Sequence, residues 1–256
     1  MVVIKVVKVG GGIIEDEDAL STFLDSFSKI EGPKVLVHGG GRLATKVAKR
    51  LGYETKIVEG RRVTDENMLE VATMVYGGLA NKKIVAKLQA TGTNALGLSG
   101  ADGNLISAHK RPVKDVDYGW VGDIDAINAD LLLNLIENNI VPVVAPLSHD
   151  GLGNMLNTNA DTIASTVATA LAEKSATQLI LGFELDGVLR DFSDKSSVIE
   201  KITPALFEQY KLEGIISDGM IPKLSNAFDA INAGVESVKI CNALKVGDDL
   251  GTVISK

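Results

Sequence analysis

The chain predicts an α/β fold in three layers, a mainly parallel central sheet with helices on both faces. Three observations carry that prediction. Short β-branched runs alternate with longer stretches of helical period, the pattern of strands joined by crossover helices. Two runs end in glycine triplets, Gly10-Gly11-Gly12 and Gly39-Gly40-Gly41, each leading into an amphipathic stretch. The 256 residues are 45% hydrophobic and 23% charged, ordinary globular values for one large domain or two lobes sharing a sheet.

The first strand is the apolar run over 2–9, and Val35-Leu36-Val37-His38 carries the second, at 34–38. Further strands are predicted at 95–98, 141–145 and 178–181, with a late one at 237–240. Helices fall between them, at 17–29, 43–51, 65–90, 129–138, 159–173, 204–211 and 220–233. Two stretches break the alternation. Residues 101–125, with Gly103, Pro112 and Gly119, are expected as hairpins that leave the main sheet and overhang a site. Residues 186–202 are expected as a second hairpin excursion. A division near residue 175 gives an N-terminal lobe, 1–175, with both triplets, and a C-terminal lobe, 176–256.

A formal net charge of -7 and a pI near 5.1 argue against nucleic acid as the main partner. The single cysteine, Cys241, excludes an intramolecular disulfide and a cysteine-rich zinc site. No run of 18 apolar residues predicts a membrane span, and Met1-Val2-Val3-Ile4-Lys5 reads as a strand rather than a cleaved signal. The expected compartment is the cytoplasm.

Glycine leaves no Cβ in the way of a ligand, and a following helix N-terminus offers unpaired N–H donors and partial positive charge. Phosphate is the natural guest. No Gly-Lys dipeptide occurs, so there is no Walker A loop, and G-x-G-x-x-G fails at Glu15 and Ala44. One triplet alone reads as a tight turn; two, with Lys8 beside the first, read as anion sites. Phosphoryl transfer asks a protein mainly for cations and N–H donors around the equatorial oxygens. Lys8 lies near the C-terminal end of its strand, where open α/β sheets place ligands. Asn159 fits a helix cap and Asp161 its first turn, which leaves Asn157 for a ligand contact. Pro222 fits a first helical turn and sets Lys223 near a positive helix end, which suits a bound anion. Arg61 and Arg62 suit either a solvated surface or a carboxylate substrate.

In order and spacing, Lys8-Val-Gly-Gly-Gly, His38-Gly-Gly-Gly-Arg, Arg62-Val-Thr, Asn157-Thr-Asn-Ala-Asp161 and Asp218-Gly-Met-Ile-Pro-Lys223 resemble the motifs of the amino acid kinase family. The match runs over 2–255. The resemblance implies ATP-dependent phosphorylation of the γ-carboxylate of an N-acylated glutamate, the second step of arginine biosynthesis. It implies that Lys8 and Lys223 stabilise charge on the transferring phosphoryl group and that Asp161 holds them. Gly11, Gly40 and Gly41 would donate backbone N–H groups, the last two also to substrate. Arg62 and Asn157 would hold the α-carboxylate and acylamino end. Nucleotide would lie against Glu184, Leu185, Asp186, Gly187, Val188 and Leu189, and against Ile215, Ile216 and Ser217. Mg²⁺ would arrive with ATP, bridging phosphate oxygens. The attacking carboxylate is already ionised at neutral pH, so no general base is required.

Leu181-Gly182-Phe183-Glu184 departs from the Leu-Thr-Asp or Leu-Ser-Asp of the family's nucleotide strand. The family's arginine-sensitive members carry an N-terminal helical extension before the first strand; its absence here resembles the arginine-insensitive homodimeric type. Acetyl is the commoner acyl group, with succinyl the alternative. Members acting on aspartate, glutamate, carbamate, UMP or an aminoadipate derivative are closer rivals, against which Arg62-Val-Thr and Asn157 to Asp161 favour the acylglutamate branch. A catalytically dead homologue is disfavoured by the presence of Lys8, Asp161 and Lys223. An α/β-hydrolase esterase, which His38-Gly-Gly-Gly also resembles, needs a nucleophile elbow, and Gly97-Leu98-Ser99-Gly100-Ala101 lacks its last glycine.

Overall fold

The computed structural model describes residues 2–58, 61–216 and 220–256. The chain runs β1 (Ile4–Val9), α1 (Gly11–Glu15), α2 (Glu17–Ser28), β2 (Lys34–His38), α3 (Gly41–Arg50), β3 (Ile57–Val58), β4 (Arg61–Arg62) and α4 (Glu66–Ala72). A π-helical segment (Thr73–Ala80) joins α4 to α5 (Asn81–Ala90), followed by β5 (Ala95–Leu98), β6 (Ile106–Lys110), β7 (Gly122–Ile127) and α6 (Ala129–Glu137). Then come β8 (Val141–Val144), β9 (Leu147–His149), β10 (Met155–Asn157), α7 (Ala160–Ala172) and β11 (Thr177–Phe183). The chain continues through β12 (Lys201–Ile202), α8 (Pro204–Leu212), α9 (Ile221–Asn232), β13 (Ser237–Asn242) and β14 (Thr252–Ile254).

Eight strands form one sheet in the order β12-β14-β13-β11-β1-β2-β8-β5. Its pairs are parallel except β13 with β14. Strand side chains alternate faces, and both faces are covered, so the inner strands read as continuous apolar runs. Val6, Val35 and Val37 pack with Ile163, Val167 and Leu171 of α7 and with Leu224 and Ile231 of α9. Val7, Val9 and Leu36 pack on the other side with Phe23 and Phe27 of α2 and Ile84 and Leu88 of α5.

The helix predicted at 65–90 is interrupted by the π-helical turns, which accommodate an extra residue where Gly77 and Gly78 weaken helix propensity. The expected excursion over 101–125 supplies β6 and β7, which join β9 and β10 in a second sheet, ordered β10-β9-β6-β7. Isolated parallel bridges join Val121 to Asn157 and Gly119 to Thr64. The excursion over 186–202 closes through an antiparallel bridge between Leu189 and Val198.

Candidate active site

β1 and β2 are neighbours, with Val9 opposite His38, so their glycine triplets meet at the carboxyl edge of the sheet. A Cβ on Gly11 would lie 3.2 Å from Gly40 N and 3.3 Å from Gly41 N, and one on Gly39 would lie 3.0 Å from Gly11 N. These are approaches of main chain to main chain, which a side chain would force apart. Gly40 is the N-cap of α3 and Gly41 its first residue, positions whose N–H groups an α-helix leaves unpaired.

Lys8 is 8% exposed, and its Nζ lies 2.9 Å from Asp161 Oδ1. Asp161 stands in the first turn of α7, capped as expected by Asn159, whose side chain accepts from the backbone N–H groups of Asp161 and Thr162. Lys223 stands in the first turn of α9, in a pocket that Asp161 also lines. Its ammonium rests 4.2 Å from the Phe183 ring centroid, while that of Lys8 lies 5.9 Å from the same ring. Both ammonium groups thus lie over one aromatic ring, whose negative face attracts a cation. Sequence reasoning registered Phe183 only as a departure from the family pattern. Phe183 ends β11, which pairs with the strand carrying Lys8.

A cavity of about 360 Å³ is lined by Lys8, Gly40, Gly41, Arg62, Tyr76, Asn157 and Asp161 among others. Arg62 Nη2 donates to Gly41 O at 2.7 Å and to Thr45 Oγ1 at 2.8 Å. Asn157 Nδ2 donates to Thr64 Oγ1 at 2.9 Å. Arg111 enters the same cavity from β6–β7, with Nε and Nη2 on Asp123 and a buried Nη1 that has no partner among the described residues. Sequence reasoning missed Tyr76 and Arg111. Tyr76 beside Gly77-Gly78 was a weak local signal; Arg111 had none, since only the second sheet brings it there.

A larger cavity, about 840 Å³, also has Lys8 in its lining, with Gly12, Phe183, Glu184, Leu185, Gly187 and Lys223 among others. Lys8, Gly10, Gly11, Gly41 and Arg42 line both, so the two cavities meet at the first triplet. Of the stretch expected to face nucleotide, Glu184, Leu185 and Gly187 reach this cavity. Asp186 instead accepts from Asn242 and Lys245, the Val188 N–H donates to Thr252 Oγ1, and Leu189 is buried. Ile216 is core and Ile215 packs against it, while Ser217 lies outside the described residues. Among the described residues no His, Cys, Asp and Glu cluster could hold a metal ion, and no helix is long and apolar enough to cross a membrane.

Burial pushes the His38 imidazole down to about 4, although its contact with the Gly39 carbonyl opposes that shift. The unfolded chain then binds the proton first. The contribution of neutral His38 is complete above about pH 6.5 and falls away toward pH 4, by up to roughly 3 kcal/mol. Urea unfolding at pH 7.5 and 4.5 should show a smaller acid loss for His38→Asn than for the parent; equal losses would remove His38 as the cause.

The profile of the amino acid kinase family matches residues 3–242. The acetylglutamate kinase of Bacteroides thetaiotaomicron is 59% identical over 251 residues, covering 98% of this chain and 98% of the relative. That of Cytophaga hutchinsonii is 55% identical over 239 residues, 93% of this chain and 90% of the relative. Among solved structures, N-acetylglutamate synthase from Neisseria gonorrhoeae superposes with a TM-score of 0.82 at 22% identity, over 99% of this chain and 59% of its own, a likeness of fold.

Proposed function

The chain belongs to the amino acid kinase family, and from that premise we infer that it is an acetylglutamate kinase, phosphorylating the γ-carboxylate of N-acetyl-L-glutamate with ATP in arginine biosynthesis. The observation that carries this reading is the meeting of two cavities at Lys8, Asp161 and the paired glycine triplets. The larger cavity suits a nucleotide and the smaller an acylated amino acid.

A carboxylate oxygen attacks the γ-phosphorus, a new P–O bond forms, and the bond from that phosphorus to the ADP oxygen breaks. The products are an acyl phosphate and ADP, and no proton need move. Catalysis therefore reduces to holding the two partners in line and stabilising spread negative charge. Lys8 and Lys223 supply the positive charge this requires, with Asp161 fixing Lys8 and the Phe183 ring beneath both ammonium groups. Gly11, Gly40 and Gly41 present backbone N–H groups, while Arg62 and Asn157 take the α-carboxylate and acylamino end. Mg²⁺ enters with the nucleotide on its phosphate oxygens. In this reading residues 1–175 bind the acyl-amino acid and residues 176–256 the nucleotide.

A cytoplasmic homodimer completes the proposal. Support for the dimer comes from β5, an edge strand of the main sheet with Leu96 exposed, and from exposed Met74 and Leu79 on the π-helical segment. A single-chain mass in sedimentation would exclude it.

One observation favours N-succinyl-L-glutamate as a second substrate reading. Arg61 and Arg111 line the acceptor cavity beside Arg62, and three guanidinium groups around one cavity suit a ligand with a further carboxylate. Assaying both acylglutamates side by side decides between the readings, and turnover of neither would overturn both.

A further inference from the structure

The Gly39–Gly40 peptide, in the lining of the proposed acceptor cavity, contacts a buried polar pair. His38 is fully buried, and its Nδ1 lies 2.7 Å from the Gly39 carbonyl oxygen. A carbonyl only accepts, so Nδ1 carries the proton and Nε2 is the acceptor of the neutral ring. Asn81 Nδ2 meets that Nε2 at 3.1 Å and also donates to Val143 O at 2.9 Å. Turning the Asn81 amide over would set its oxygen against two acceptors; as placed, Oδ1 accepts from Lys82 Nζ at 3.2 Å. Asn81 is 1% exposed, and Gly97 gives it room, since a Cβ there would lie 1.9 Å from Asn81 Oδ1.

A trans peptide directs its C=O and N–H to opposite sides, and no cis peptide occurs among the described residues. Drawing Gly39 O toward His38 therefore turns Gly40 N–H away from His38, and Gly40 itself lines the acceptor cavity. Two adjacent glycines would otherwise leave that peptide plane free to rotate. Tyr76 covers the far side, its Cδ1 2.9 Å from where a Gly40 Cβ would stand.

Tyr76 and Asn81 are five residues apart, which in an α-helix separates side chains by about 140° around the axis. The i→i+5 bonding of the π-helical segment Thr73–Ala80 instead brings residues five apart toward one face. Both can then close on the same glycine turn. We propose that His38, at the end of β2, and Asn81, which directly follows the π-helical segment, are positioning residues that aim Gly40 N–H at the anionic oxygens of the transferring phosphoryl group and its carboxylate acceptor. This rests on the reaction inferred above.

Asparagine and leucine are matched in size at position 38, but only asparagine carries an N–H near the place of Nδ1. His38→Leu should lower kcat by about tenfold or more, short of the 10²–10³ for deleting an oxyanion donor outright, with KM for ATP within about twofold of the parent. His38→Asn should keep kcat within about threefold of the parent. Adding Asn81→Ser to His38→Leu should cost little more, because both act through one peptide. A folded His38→Leu enzyme with kcat within threefold of the parent, or Asn and Leu variants equally impaired, would overturn the proposal. Should His38→Leu not fold, Asn81→Ser alone decides: about fivefold or greater loss of kcat per folded enzyme supports it, and unchanged kcat rejects it. The parent enzyme run alongside separates the two levels. An inactive parent contradicts the reaction, whereas an active parent with insensitive variants contradicts only the positioning role.

Discussion

Lys8→Ala and Lys223→Ala each lower kcat by about 10²-fold or more while leaving KM for the acylglutamate nearly unchanged. The reason is where charge develops. In the ground state the triphosphate is already neutralised in part by Mg²⁺, whereas a loose transition state spreads charge over the three equatorial oxygens that, on the proposed reading, the two ammonium groups flank. Lys8 is buried against Asp161, so removing it also leaves that carboxylate beside the phosphates without its partner. Lys8→Ala should therefore be the worse of the two, and its double with Asp161→Asn less than additive. Steady-state kinetics with saturating ATP and Mg²⁺ reads this directly. Near-normal turnover in either alanine variant would take that lysine out of the chemistry.

Arg62→Ala falls on a different parameter. Arg62 is anchored on Gly41 O and Thr45 Oγ1, so its guanidinium is held ready for a carboxylate, and truncation removes a charge-assisted partner as well as a brace on the α3 terminus. Losing such a partner costs about 2–4 kcal/mol, a fall of roughly 30- to 1000-fold in kcat/KM. Most of it should appear in KM for the acylglutamate, because the α-carboxylate does not change charge during the reaction. Arg62→Lys should recover only part, since an ammonium cannot reproduce the planar two-point contact. Unchanged KM for the acylglutamate with raised KM for ATP would place Arg62 on the wrong substrate.

Much of this site was legible because its parts are local. The run Val35-Leu36-Val37 gives β2 its predicted limits, and Asn159 marks the start of α7 to within a residue. α3 begins at Gly41, two residues before its predicted start, because glycine is a poor helix former even where it makes the first turn. β12 and β14, of two and three residues, are too short to show a period. The π-helical turns are hidden for a related reason: residues 65–90 keep a helical pattern whichever hydrogen-bond step closes them. Phe183 under both lysines, Tyr76 over Gly40, Asn81 beside His38 and Arg111 from the second sheet are contacts between distant segments. No spacing along the chain encodes them.

The central claim is transfer of a phosphoryl group from ATP to the side-chain carboxylate of an N-acylglutamate. Its most direct test incubates the protein with Mg-ATP and either N-acetyl-L-glutamate or N-succinyl-L-glutamate, traps the acyl phosphate with hydroxylamine, and quantifies ADP alongside. The account predicts hydroxamate and ADP in equal amounts with at least one of the two substrates, and neither product without it. ADP formation independent of both, or no turnover with either, would contradict it.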